Sequence, residues 1–281
     1  PGAIIAPLSR IAAEALNLPA GIPIVQGGAD AFIAMAGVGV VRPGSIALIT
    51  GSSHLQLGVT DAPLSGPGMW GAYADVLRRG SFVVEGGQTS TGSIINWFRR
   101  TLAPNATYAE LDNEATQIPI GCDGLTAQDH FQGNRTPYTD PASRGAFAGL
   151  SLKHTRGHMF RALLESVAFG TKVVLETMRA RGVAVDEIAL CGGVARSDLW
   201  TQLHADIIGR PIKVSQACAP ALGSAMFAAI GAEIYRDLDE ASIAMVRSHR
   251  VVEPCAHAHD AYDSAYAAYQ SAYLALKGIH A

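Results

Sequence analysis

Four stretches of this 281-residue sequence place small or polar residues at the end of an apolar run, where backbone N–H groups and hydroxyls can meet a ligand. They are 22–37 (IPIVQGGADAFIAMAG), 46–59 (IALITGSSHLQLGV), 83–98 (VVEGGQTSTGSIINWF) and 186–200 (DEIALCGGVARSDLW), each read as strand, small residues, helix. In the last, Gly192-Gly193 lets the backbone approach a flat or anionic ligand, since glycine has no Cβ in the way. A helix beginning near Ser197 would point its N–H groups and positive dipole end at the same spot. A plain turn with Ser197 as N-cap fits these residues equally well. Gly51-Ser52-Ser53 offers backbone N–H groups and two hydroxyls, which suits a phosphate cradle or an ordinary hairpin loop. Asp30 falls in the first turn of a helix just past a strand end, as a cap or as a general base facing a cleft. Glu85 ends an apolar strand and needs partners there. Four such junctions are more than turns require, and one extended polar ligand held by several loops accounts for the excess.

The elements that must carry these residues follow from periodicity and from breakers. A strand-like GAIIA precedes a helix at 9–17, with Ser9 as N-cap and Leu18-Pro19 as its stop. Strand 22–26 runs into Gly27-Gly28-Ala29-Asp30 and a small-residue helix at 31–37. Residues 41–59 also read as a hairpin, with Arg42-Pro43-Gly44 turning into strand 45–50. A loop-rich segment at 61–80, a strand at 81–85 and a helix at 90–102 come next. Residues 104–145 are irregular, with a short helix near 107–117. The longest helix spans 158–181 and carries Met159, Leu163, Val167, Gly170, Val174 and Met178 on one core-facing stripe. Strand 188–190 and its helix, strand 211–215 and a helix around 221–235 complete a β-α-β-α run. In the tail, Tyr262, Tyr266, Tyr269 and Tyr273 fall on one helical face that should dock on the body.

Composition bounds the class. A hydrophobic share of 49% fills a core, and a charged share of 16% speaks against disorder. A formal net charge of −3 gives no reason to expect nucleic acid. The four cysteines are scattered without a CxxC pair and read as reduced thiols of a cytoplasmic protein, with no metal site built on them. No apolar run reaches membrane-spanning length, and no signal peptide is recognised. The opening Pro1, entering a strand at once, suggests the later part of a longer polypeptide.

At Gly145–Glu165, GAFAGLSLKHTRGHMFRALLE, the chain resembles the C-terminal signature of the FGGY family of carbohydrate kinases, with Gly145, Phe147, Gly149-Leu150, His158-Met159, Ala162-Leu163-Leu164 and Glu165 in matching positions. The other junctions line up in order. The resemblance covers nearly the whole chain and corresponds to about the second half of a family member. It implies an α/β chain of the actin-like, hexokinase-like (ribonuclease H-like) ATPase fold. Residues 1–40 would be the end of a first, sugar-binding domain, and 41–281 the nucleotide-binding C-terminal domain with its terminal helix.

By the same resemblance Asp30 is the catalytic base, taking the proton from the sugar hydroxyl that attacks the γ-phosphoryl group of ATP. Gly51-Ser52-Ser53 is the second phosphate loop, with Ser52 where many relatives have Thr. Gly92 and Asn96 lie near the nucleotide, and Gly192, Gly193 and Ser197 form the adenosine loop; many relatives have Asn near Ser197. Glu85-Gly86-Gly87-Gln88 and Gly133-Asn134-Arg135-Thr136-Pro137 resemble the pentulose branch, ribulokinase-like and ribitol-kinase-like. That implies sugar contacts from Glu85 and Gln88; Glu85 as a structural partner of Arg135 is the alternative. ATP and Mg²⁺ are the implied cofactors and a sugar or polyol the partner, in a protein that binds neither nucleic acid nor membrane and can form a homodimer. The Asp-Gly loop that would organise Mg²⁺ is not in this sequence, so no metal ligand is assigned. A non-catalytic nucleotide- or sugar-sensing module of the same superfamily, or an inactive C-terminal fragment, stands as the alternative reading.

Overall fold

Apolar residues alternate between two faces along the central strands, and both faces are covered by helices. The computed structural model describes residues 1–215, 217–247, 250–277 and 279. In chain order the elements are β1 (Ile4–Pro7), α1 (Arg10–Leu16), β2 (Pro23–Val25), α2 (Asp30–Gly37), β3 (Ser45–Thr50), β4 (His54–Thr60), β5 (Trp70–Ala74), β6 (Phe82–Gln88), α3 (Gly92–Leu102) and α4 (Tyr108–Thr116). They continue with β7 (Thr126–Gln128), β8 (Ala146–Ala148), α5 (Arg156–Ala180), β9 (Glu187–Gly192), α6 (Asp198–Ile208), β10 (Ile212–Val214), α7 (Ala219–Gly231), α8 (Leu238–Met245), β11 (Arg250–Val252) and α9 (Ala256–Leu276).

Seven strands form one sheet in the order β11-β10-β9-β3-β4-β6-β5. β3 runs parallel to β9, and β9 to β10, while β4 lies antiparallel between β3 and β6. The central sheet is therefore mixed, and it fits the α/β actin-like reading. Ile46, Leu48, Val84, Ile188 and Leu190 face one core, which α3, α4, α5, α6 and α9 close. Ala47, Leu57, Val83, Ala189 and Cys191 face the other, which α2, α7 and α8 close.

One expectation changes. Residues 46–59 do not pass from strand to helix. The β3–β4 register pairs Thr50 with His54, so Gly51-Ser52-Ser53 is the turn of a tight hairpin and 54–60 is a strand. The hairpin expected over 41–59 is therefore present, with Arg42-Pro43-Gly44 turning into strand 45–50 and Gly51-Ser52-Ser53 as the loop between the strands. The segment 1–40, expected as the end of a first domain, comprises β1, α1, β2 and α2. β1 and β2 make a separate two-stranded sheet, whereas α2 buries Ile33–Gly37 in the second core of the main sheet. The reason is close packing of small residues: a Cβ on Gly37 would strike the Ala219 carbonyl, and one on Gly223 the Ile33 carbonyl.

The tail behaves as its periodicity requires. Tyr262, Tyr266, Tyr269 and Tyr273 of α9 are buried, and each hydroxyl donates to a carboxylate: Glu165, Glu176, Asp129 and Asp140 in turn.

Candidate active site

Parallel pairing of β3 with β9 brings two loops together that lie some 140 residues apart in sequence. Its register sets Thr50 opposite Gly192, so the Gly51-Ser52-Ser53 turn and the Gly192-Gly193 turn leave the sheet side by side. Thr50 locks them: its hydroxyl donates to the Cys191 carbonyl at 2.6 Å and accepts from the Val194 N–H at 3.1 Å, while its carbonyl accepts from the Gly193 N–H at 2.8 Å. Gly192 has φ +99°, and a Cβ there would collide with the Thr50 carbonyl, so only glycine fits.

The 51–53 turn is held from its other side by the start of α3. The N–H groups of Thr91, Gly92 and Ser93 donate to the carbonyls of Ser52, Gly51 and Ser52. Gly92 has no side chain because a Cβ would meet the Gly51 carbonyl. These bonds turn the loop's carbonyls toward α3, and the hydroxyls of Ser52 and Ser53 have no partner among the described residues. Hydroxyl donors left free at such a turn suit an anion.

Two cavities meet at this turn. One, of about 240 Å³, is lined by Gly51, Gly92, Ile95, Tyr108, Asp112, Phe160, Leu164, Gly193, Arg196, Ser197 and Trp200. The position of a Cβ on Gly193 has only the Thr50 carbonyl near it, at 3.9 Å, so the glycine leaves open space on this wall. Ser197 caps α6, accepting from the Trp200 N–H at 3.0 Å, and also faces the cavity. The cap and the cavity wall are thus one residue. Asn96 stands outside the lining; it accepts from the Tyr108 hydroxyl at 3.5 Å and so supports a residue that does line it. The second cavity, of about 180 Å³, is lined by Asp30, Ala31, Ala34, Ile49, Thr50, Gly51, Ser52, Ser53, Leu55 and Pro220. Asp30 is exposed in the first turn of α2; its Oδ1 accepts from the Ala31 N–H at 2.8 Å, and Oδ2 has no partner among the described residues. The helix's N-cap is Ala29, so Asp30 does not serve as a cap.

Glu85 and Gln88 are not brought to these cavities. Glu85 is buried and paired with Arg135 at 2.5 Å, and the Arg135 guanidinium lies over the Trp70 ring. A buried carboxylate needs such a partner, and the Arg135 pairing weighed for Glu85 is present. Gln88 is buried with its amide fully used. Its Nε2 donates to Asp129 and to the Val167 carbonyl, and its Oε1 accepts from Gln56 and Thr171.

Asp112, Tyr108 and Arg196 line the larger cavity, and sequence reasoning did not single them out. Burial pushes the Asp112 carboxyl up; the Ser197 hydroxyl pulls it back, and Asp198 adds to the rise. Nothing local marks Asp112, since Ser197 lies 85 residues further along the chain. Behind Trp200, His54 and His204 are fully buried with ring centroids 5.7 Å apart. Burial holds both imidazoles below their usual range, His204 down to about 4.

Residues 46–232 match the family model for the C-terminal domain of the FGGY family of carbohydrate kinases. A ribulokinase of Halalkalibacterium halodurans is 35% identical over 254 residues, covering 84% of this chain and 45% of that protein. A xylulose kinase of Bacillus subtilis is 30% identical over 258 residues, covering 92% and 52%. The crystal structure of a xylulose kinase from Rhodospirillum rubrum superposes with TM-score 0.86 at 30% identity, over 99% of this chain and 57% of that one. The chain spans about half the length of the curated relatives it matches.

Proposed function

The chain belongs to the FGGY family of carbohydrate kinases, and from that premise we propose that it takes part in ATP-dependent phosphorylation of a sugar or sugar alcohol. The single observation that carries the reading is Gly51. It lines both cavities, so a triphosphate whose base occupies the larger one passes over the 51–53 turn toward Asp30. The free hydroxyls of Ser52 and Ser53 then meet the terminal phosphates, held in place by the bonds that fix the turn, as a preorganised electrostatic cradle should. Asp30 Oδ2 takes the proton of the attacking sugar hydroxyl, and positioning with charge stabilisation supplies the rest.

A pentulose is the substrate class we favour, on the likeness to proteins named ribulokinase and xylulose kinase. Glu85 and Gln88 are left out of sugar binding in this proposal, because both are committed to protein partners. Mg²⁺ would neutralise charge on the ATP phosphates. The described residues contain no group of three or more His, Cys, Asp or Glu fit to hold a metal, so no step is assigned to residues binding it here.

The test is Asp30→Asn in the active enzyme. Asparagine keeps the helix start but cannot accept the proton. Turnover should fall on the order of 10²–10⁴ while ATP binding and melting temperature hardly move. Turnover within a factor of a few of the parent would remove Asp30 from the mechanism.

A further inference from the structure

The larger cavity has one carboxylate among its described lining residues, and its place in the cavity restricts what it can meet. Asp112 lies on α4 one turn after Tyr108, so both side chains reach the same wall. Ser197, whose Oγ accepts from the Trp200 N–H, lines the same cavity and its hydroxyl favours the charged form of the Asp112 carboxyl. No cation is among the groups acting on this carboxylate; Arg196 lines the same cavity without pairing to it. Lone pairs remain on Asp112 for a ligand donor.

The two ends of the cavity differ chemically. Gly51, Gly92 and Gly193 lie together on the wall beside the 51–53 turn, where side chains are absent and the Ser52 and Ser53 hydroxyls are near. A carboxylate repels phosphate, so the triphosphate belongs at the glycine end and the base at the Asp112 end. Ile95, Phe160, Leu164 and Trp200 supply apolar walls suited to a flat aromatic ring. Such walls hold any base and distinguish none, whereas a fixed acceptor does distinguish. Adenine presents one exocyclic donor, its 6-amino group, where hypoxanthine presents a carbonyl.

We propose that Asp112 is a specificity-determining residue for the nucleobase, accepting a hydrogen bond from the 6-amino group of adenine. The inference rests on the reading above that this cavity holds ATP.

The experiment is calorimetric titration of the chain and of Asp112→Ala with ATP, ITP and 2′,3′-dideoxy-ATP. Alanine is the best helix former and Asp112 is half-exposed, so the variant should fold; a melting curve checks this. The parent should bind ATP roughly tenfold or more tightly than ITP, and in the variant that ratio should fall close to one through loss of ATP affinity alone. No preference in the parent, or an unchanged ratio in the variant, overturns the inference. So does a collapse confined to the ratio of ATP to dideoxy-ATP, which would assign Asp112 to the ribose. A parent chain that binds none of the three overturns the reading that this cavity holds ATP, and this inference with it.

Discussion

Gly192 and Gly193 are neighbours, yet a side chain would act differently at each. Gly193 has φ −64° and ψ −40°, a conformation open to any residue, and the space beyond its Cα is empty protein surface facing the cavity. Gly193→Val should therefore fold normally and lower ATP affinity by about tenfold or more, since the branched side chain occupies the nucleotide's place. Nucleotide affinity unchanged in a folded variant would return this turn to a merely structural role. Gly192→Ala should do the opposite kind of damage. A residue forced to φ +99° costs roughly 1–3 kcal/mol, and its Cβ also meets the Thr50 carbonyl. A lowered melting temperature, or no soluble protein, is the expected outcome.

Among the elements, α9 shows how a face read from periodicity acquires its energy from partners that periodicity does not name. Tyr269 is buried and donates to Asp129 Oδ1 at 2.7 Å, while Asp129 Oδ2 takes Gln88 Nε2 at 3.0 Å. The terminal helix is thereby joined to β6, whose following residues Thr91–Ser93 hold the 51–53 turn. Tyr269→Phe leaves a buried carboxylate oxygen without its donor and should cost about 1–3 kcal/mol. Tyr266→Phe should cost less, on the order of 1 kcal/mol or below, because its partner Glu176 stays exposed to water. Urea midpoints of the two variants test the ordering, and equal losses would contradict it.

For the whole molecule, the buried histidine pair sets an acid limit on stability. The unfolded chain takes up a proton on each imidazole near the ordinary value of about 6.5, whereas the folded chain resists until His204 reaches about 4. Burial disfavours the charged form at both His54 and His204, repulsion from His204 lowers His54 further, and the Trp200 carbonyl partly offsets the effect at His204. The unfolded state then binds more protons across this window, so stability rises with pH. It should be full above about pH 6.5 and fall as pH drops toward 4. His204 alone should remove about 2 kcal/mol between pH 8 and pH 5. His204→Leu, close in volume, should flatten that part of a stability–pH curve measured by urea unfolding. A curve as steep as the parent's would mean the loss arises elsewhere.

Much of the molecule was legible before any coordinates. The helix at 156–180 and its stripe, the tyrosine face of α9 and Ser197 at the start of α6 all follow from local periodicity, breakers and caps, which act over a few residues. So did the polar turns at 27–30, 51–53 and 192–193, and the twenty-one-residue stretch Gly145–Glu165 carried the family likeness. Reading 46–59 as strand then helix failed because a short apolar run after a turn has no period that separates the two states. The tertiary structure alone decided which turns converge. β3 had to pair parallel with β9 before Thr50 could join the two loops, and sheet order is a non-local property. It also decided that Glu85 and Gln88 face inward while Asp112 faces the cavity. A polar side chain at a strand end looks the same in sequence whether it meets a ligand or a buried partner. Only the packing around it fixes which of the two desolvates it.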